Sequence, residues 1–146
     1  MIDQDSIRAK VKHLQDILRL REWDIDCMVV DKPWRKNGDV KIDTPNRLAT
    51  VMISASLDPA CLEEVVVHEL LHIKLYGLDQ MIEYLIDILC GDDEDARKAL
   101  NYGFFMEMLE STTEDLAKGY LTAAGRVGGF NTSRVDRQVK EELSGS

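Results

Sequence analysis

Paired cysteines, long apolar runs and an excess of basic charge are all missing from this sequence, and each absence removes a class of protein. Cys27, Cys61 and Cys90 are odd in number, far apart and in no CxxC pair, which speaks against a disulfide framework or a zinc knuckle. Three reduced, mostly buried thiols are expected instead. The longest apolar runs are broken by charge or glycine well short of a membrane span, and the opening residues MIDQDSIRAK hold no apolar stretch of the signal-peptide kind. A cytoplasmic protein with no membrane partner is the expectation. No internal repeat is present. Histidine is scarce as well, at three in 146 residues, so the placement of each one matters.

What is there describes one ordinary domain, 45% hydrophobic and 31% charged. Net charge is −9 and unevenly spread: residues 1–47 carry ten Lys/Arg and nine Asp/Glu, residues 48–125 four and fifteen, residues 126–146 four and three, or +1, −11 and +1. The acidic middle attracts cations and repels phosphate backbones, so nucleic acid is not an expected partner. The loop KPWRKNGDVK sets Trp34 among Lys32, Arg35, Lys36 and Lys41, and reads as a solvated turn, with a base-stacking, phosphate-neutralising contact to nucleic acid as the alternative. The acidic run GDDED at 91–95 reads as a helix start.

The pattern along the chain predicts an α+β fold. Ile7, Val11, Leu14 and Leu18 recur at helical spacing over residues 5–21. WDIDCMVV switches the period to two, with Trp23, Ile25, Cys27 and Val29 on one face; DVKID and RLATVMISASL follow as second and third strands. At Asp58-Pro59 the pattern returns to helix, with Asp58 as cap and Pro59 in the first turn. This helix is expected to end at Gly77, and a shorter one to run from Asp79 to Gly91. A long helix is expected from about Asp93 to Ala124. Residues 1–124 then form a single domain and residues 125–146 a polar, flexible tail.

Two of the three histidines lie in VVVHELLHIKLYG, residues 65–77. On a helix His68 and His72 sit about 40° apart on one face, with Glu69 on its flank. Polar groups in so apolar a run need a shared partner, and one metal ion is such a partner. His68 and His72 can then ligate the ion while Glu69 takes a proton from water beside it, which is the mechanical content of HExxH. A third protein ligand is required. His13 falls on an exposed face of the first helix. On the long helix, Glu110 is the centre of a stripe of small residues that includes Ala99, Gly103, Thr113 and Ala117, where a lone carboxylate is costly unless it meets a cation. Glu110 is therefore the expected third ligand. Glu114, one turn on, is placed to hydrogen-bond a liganding imidazole. Glu107 reads as solvated and Asp115 points away. Tyr76, one turn past His72 on the metal face, serves either packing or substrate. No side chain is assignable to an oxyanion, and the edge of the ATVMIS strand is the one visible candidate for holding an extended peptide.

The order of an amphipathic helix, WDIDCMVV, ATVMISASL, EEVVVHELLHIKL and MLESTTEDLAKGYL resembles small phage- and prophage-encoded metallopeptidases, zincins of the gluzincin kind, over residues 5–122. The resemblance implies a zincin-like fold: an N-terminal helix, a small three-stranded sheet, the HExxH helix and two further helices. It implies one Zn²⁺ per chain held by His68, His72 and Glu110, with Glu69 as general base in the hydrolysis of a peptide or protein. A non-catalytic, zinc-stabilised module bound to a phage or host protein is the alternative. The metzincin pattern, and the HxxxHxxxxxH of zincin-like endoribonucleases, both require histidine at position 78, where this chain has Leu78.

Overall fold

Ile7, Val11 and Leu14 are buried along the inner face of α1 (Gln4–Ile17) in the computed structural model, which describes residues 2–91, 95–126 and 133–144. Asp3 caps this helix, its carboxylate accepting from the Ser6 N–H at 2.9 Å. The Gln4 side chain then fastens α1 to the first strand, β1 (Asp24–Val30): Oε1 accepts from the Val29 N–H at 3.1 Å and Nε2 donates to the Cys27 carbonyl. These bonds occupy backbone groups that an outer strand would otherwise leave open.

β1, β2 (Gly38–Asp43) and β3 (Leu48–Ser54) make a mixed sheet in the order β1-β3-β2. Val51 at its centre lies opposite Cys27 of β1, in parallel register, and opposite Val40 of β2, in antiparallel register. The period-two alternation holds: Trp23, Ile25, Cys27 and Val29 turn to the core while Asp24, Asp26 and Met28 are exposed. One expectation is corrected. β3, the ATVMIS strand, is central and paired on both sides, so the open edge belongs to β2.

Asp58 caps a single 3₁₀ turn, Pro59–Cys61, accepting from the Ala60 N–H at 2.9 Å, and the chain passes directly into α2 (Leu62–Cys90). The expected break at Gly77 does not occur; α2 is one helix of 29 residues. A glycine inside a helix costs at most about 1 kcal/mol against alanine, and contacts to the next helix hold α2 on both sides of it. His72 meets Glu110 at 3.4 Å before Gly77, and Asp87 meets Lys98 at 2.9 Å after it. That next helix, α3 (Ala96–Ala123), starts from an Asp95 cap whose carboxylate accepts from the Arg97 N–H at 2.8 Å; the expected start near Asp93 lies outside the described residues.

Of the two further helices expected, the one from Asp79 is the second half of α2 and the long one is α3; α4 (Ser133–Ser144) was not expected and lies inside the stretch read as a flexible tail. Its side chains from Val135 onward are exposed; residues 127–132 and 145–146 of that stretch lie outside the described residues. Cys27 and Cys61 are buried, Cys90 half-buried, and all three are free thiols. No helix among the described residues is long and apolar enough to cross a membrane.

A Cβ added at Gly77 meets no atom within 4 Å. Gly77→Ala is expected to raise unfolding free energy by about 0.5–1 kcal/mol, read from the denaturant midpoint; a loss of stability would mean the helix is interrupted there.

Candidate metal centre

Val65, Val66, Val67, Leu70 and Ile73 are buried and lock the first half of α2 onto the sheet and α1. With those positions fixed by apolar packing, the 3.6-residue period turns His68 and His72 toward α3. α3 approaches closely where its residues are small or tightly packed: Thr113, Ala117 and Leu121 are buried, and the Thr113 hydroxyl donates to the Leu109 carbonyl at 2.8 Å. The small-residue stripe is only half used, since Ala96, Ala99 and Gly103 are exposed. Glu110 stands at the boundary between the two halves, half-exposed, with its carboxylate turned to the histidines.

The three expected ligands converge. His68 Nε2 and His72 Nε2 are 3.1 Å apart, Glu110 Oε2 is 3.4 Å from His68 Nε2, and Glu110 Oε1 is 3.4 Å from His72 Nε2. One ligand atom from each residue lies within 4.8 Å of the others. Tetrahedral zinc with nitrogen and oxygen ligands at about 2.0–2.1 Å sets those ligands roughly 3.3 Å apart, so the donor set fits such an ion in chemistry and in spacing. His13 is exposed on α1, as expected.

Glu114 bonds the other ring nitrogen of His68, Oε2 to Nδ1 at 3.1 Å, and Lys118 Nζ reaches Glu114 Oε1 at 2.9 Å. That contact fixes the ring and its tautomer, leaving Nε2 for the ligand role. Glu64, buried one turn before His68, also hydrogen-bonds Glu114, which requires a proton between the two carboxyl groups. The bond from His68 holds the Glu114 carboxyl down to about 2.

Burial works against charge on His68, but its bonds to Glu110 and Glu114, with Glu69 beside it, prevail and lift its pKa to about 10. Burial and the charge of His68 lower His72. The short contact between the two Nε2 atoms is then a hydrogen bond from protonated His68 to neutral His72. The bond to His68 likewise depresses Glu110. Glu69, 7% exposed, shifts the opposite way from Glu110 and Glu114: burial raises it to about 7 against the pull of His68.

These residues open into a cleft of about 610 Å³ between β2, α2 and α3. Tyr76 and Asp79 line it beyond His72. Two residues at this site escaped the sequence reading. Gly38 was legible only as part of a turn, yet a Cβ there would sit 2.6 Å from both Glu69 Oε1 and Val65 Cγ1, so only glycine lets β2 lie against the Glu69 carboxylate. Lys36, one of the basic residues of the Trp34 loop, is the one lysine or arginine among the described residues lining the cleft, and pairs with Asp39 at 3.3 Å. Trp34 and Arg35 line a separate surface hollow with Pro33 and Ser56. No signal within a loop announces which of its residues a distant helix will meet.

Compared with protein-family models, curated proteins and solved structures, the chain matches none of them. The reading of the site rests on its own geometry.

Gly38→Ala is expected to cost about 1–3 kcal/mol in unfolding free energy, the range for overpacking a tight contact; an unchanged melting temperature would show that Glu69 moves aside freely. For metal binding the sign follows from His68. The metal-free chain carries its proton below about pH 10, and a ligand imidazole must give it up. Zinc binding near neutral pH should therefore release about one proton, and apparent affinity should rise with pH. Calorimetry in two buffers of different ionisation heat counts that proton, and no release would mean His68 is neutral beforehand.

Proposed function

We propose that the protein is a zinc-dependent hydrolase, a metallopeptidase of the zincin kind that cleaves peptide bonds with activated water. The observation that carries this reading is the convergence of His68, His72 and Glu110 on one point, with the Glu69 carboxylate beside it in an open cleft. Zinc, when bound, supplies a Lewis acid that brings the pKa of water to about 7 and polarises a carbonyl. His68 and His72 would hold the ion from one helix and Glu110 from the next. Glu114 keeps the His68 ring in orientation.

Glu69 is the general base. A carboxyl with its pKa near 7 accepts a proton from water and returns it to a leaving amine with little energy difference between the two states. The β2 edge, free of a strand partner among the described residues, offers backbone donors and acceptors to an extended peptide. Lys36, at the rim, is the available positive charge for an anionic oxygen or a substrate carboxylate. Three free thiols fit a cytoplasmic setting, that of the host if the chain is phage-encoded.

One observation favours the non-catalytic reading: α3 packs against α2 alone among the described elements, so an ion bridging the two would staple α3 in place within a phage or host assembly.

The two readings part on Glu69→Gln. If the protein is a peptidase, this variant keeps about one zinc per chain by mass spectrometry and loses on the order of 10²–10⁴ in turnover of a quenched-fluorescence peptide library. Glu110→Gln loses the zinc itself. Wild type that holds zinc, melts far lower after chelation and cleaves no peptide would support the staple instead.

A further inference from the structure

Glu64 is buried more deeply than Glu69, at 3% exposure, and it is neither a ligand nor the base. Its neighbour in the first turn of α2 sets the contrast. Glu63 is held by two cations, its Oε2 meeting Lys10 Nζ at 3.1 Å and the Arg126 guanidinium as well. Glu64 instead lines the cleft and is bonded to another acid, Glu114. A carboxyl group taken out of water and set against a carboxylate is costly unless the pair is bridged by a hydrogen.

Spacing explains how the two meet. Glu64, His68 and His72 recur every fourth residue on α2, about 40° apart at each step and so on one face, and Glu110, Glu114 and Lys118 recur in the same way on α3. The contacts step along the two helices in opposite directions: His72 to Glu110 at 3.4 Å, His68 to Glu110 at 3.4 Å and to Glu114 at 3.1 Å, then Glu64 to Glu114. Glu114 already takes Lys118 on Oε1 at 2.9 Å and His68 on Oε2 at 3.1 Å. With two cationic partners it is the anion of the pair, and Glu64 is the donor.

We infer that Glu64 is a positioning residue of the metal centre: its carboxyl donates to Glu114 and holds that carboxylate against His68 Nδ1, so that His68 Nε2 is presented to the ion. Lys118, the other group that holds Glu114, sits on the same helix as Glu114 with 36% of its side chain in water. An ion pair so exposed, on a flexible stem, is weak. Glu64 reaches across from α2, the helix that carries His68, and lies out of water, so its bond fixes Glu114 relative to the ring it must orient. Partners of this kind, behind a liganding histidine, commonly change metal affinity by about 10- to 100-fold. The inference rests on the metal centre of the proposed function and not on peptide cleavage.

The zinc affinity of the full chain, measured by competition with a chromogenic chelator, tests it. Glu64→Gln keeps a donor at the same reach and should bind zinc within about twofold of wild type, whereas Glu64→Met keeps the length without the donor and should bind about tenfold more weakly. Because Glu64 acts through Glu114, Glu64→Met should cost nothing further in a Glu114→Ala background, where a packing defect would still cost its full amount. Circular dichroism checks the fold of each variant, and Glu64→Ala takes the place of Glu64→Met if the latter unfolds. Equal affinity in wild type and Glu64→Met overturns the inference. So does a Glu64→Gln variant as weak as Glu64→Met, or a loss that persists without Glu114. Wild type that takes up no zinc overturns the metal centre itself, and this inference with it.

Discussion

Burial of the first half of α2 is the constraint from which the rest of the structure follows. Val65, Val66, Val67, Leu70 and Ile73 seat that stretch against the sheet and α1 with almost no freedom to rotate. Once those five are placed, the helical period dictates where His68, Glu69 and His72 go: two imidazoles toward α3, one carboxylate toward β2. None of the three can turn to bulk water without unseating a valine or leucine. The apolar packing thereby holds polar groups where they are costly, and that cost is met by what α3 and β2 bring to them.

What α3 brings is negative charge. Glu110 and Glu114 both bond His68, Glu64 lies behind Glu114, and Glu69 and Asp39 face the same cleft. Against them stand Lys36, Lys118 and two protons, the one that His68 retains and the one between Glu64 and Glu114. A divalent cation in place of the His68 proton would add one further positive charge where His68, His72 and Glu110 meet. Four of the fifteen acids of residues 48–125, Glu64, Glu69, Glu110 and Glu114, meet at this site. Glu69 is set apart within this group by depth. Gly38 lets the β2 backbone close over it, and the loss of water lifts its pKa toward the range where a proton is easily taken and given.

α2 has two careers along its length. Up to Ile73 it is core and carries the chemistry; from Gly77 onward it leaves the sheet and shares with α3 a hairpin whose outer face is apolar. The site and the hairpin face use different sides of the same helix, so each can be altered without touching the other.

The amino-acid sequence determined everything that rests on local period. The two-residue alternation of WDIDCMVV, the helical spacing of Ile7, Val11 and Leu14, and the i, i+4 placement of His68 and His72 are properties of adjacent residues and appear in the structure as read. Glu110 was legible too, because a carboxylate among small residues is anomalous on any helix, although half of that stripe turned out exposed. Other features were decided by tertiary structure alone. That β3 is central and β2 the edge, that Gly38 lies against Glu69, and that Lys36 rather than Trp34 reaches the cleft depend on contacts between residues far apart in the chain. Gly77 shows the same limit from the other side. Its local preference is to end a helix, by about 1 kcal/mol at most, and packing with α3 before and after it exceeds that preference. Local preferences are weak and additive, long-range burial is strong and collective, and where the two disagreed in this chain the long-range contacts prevailed.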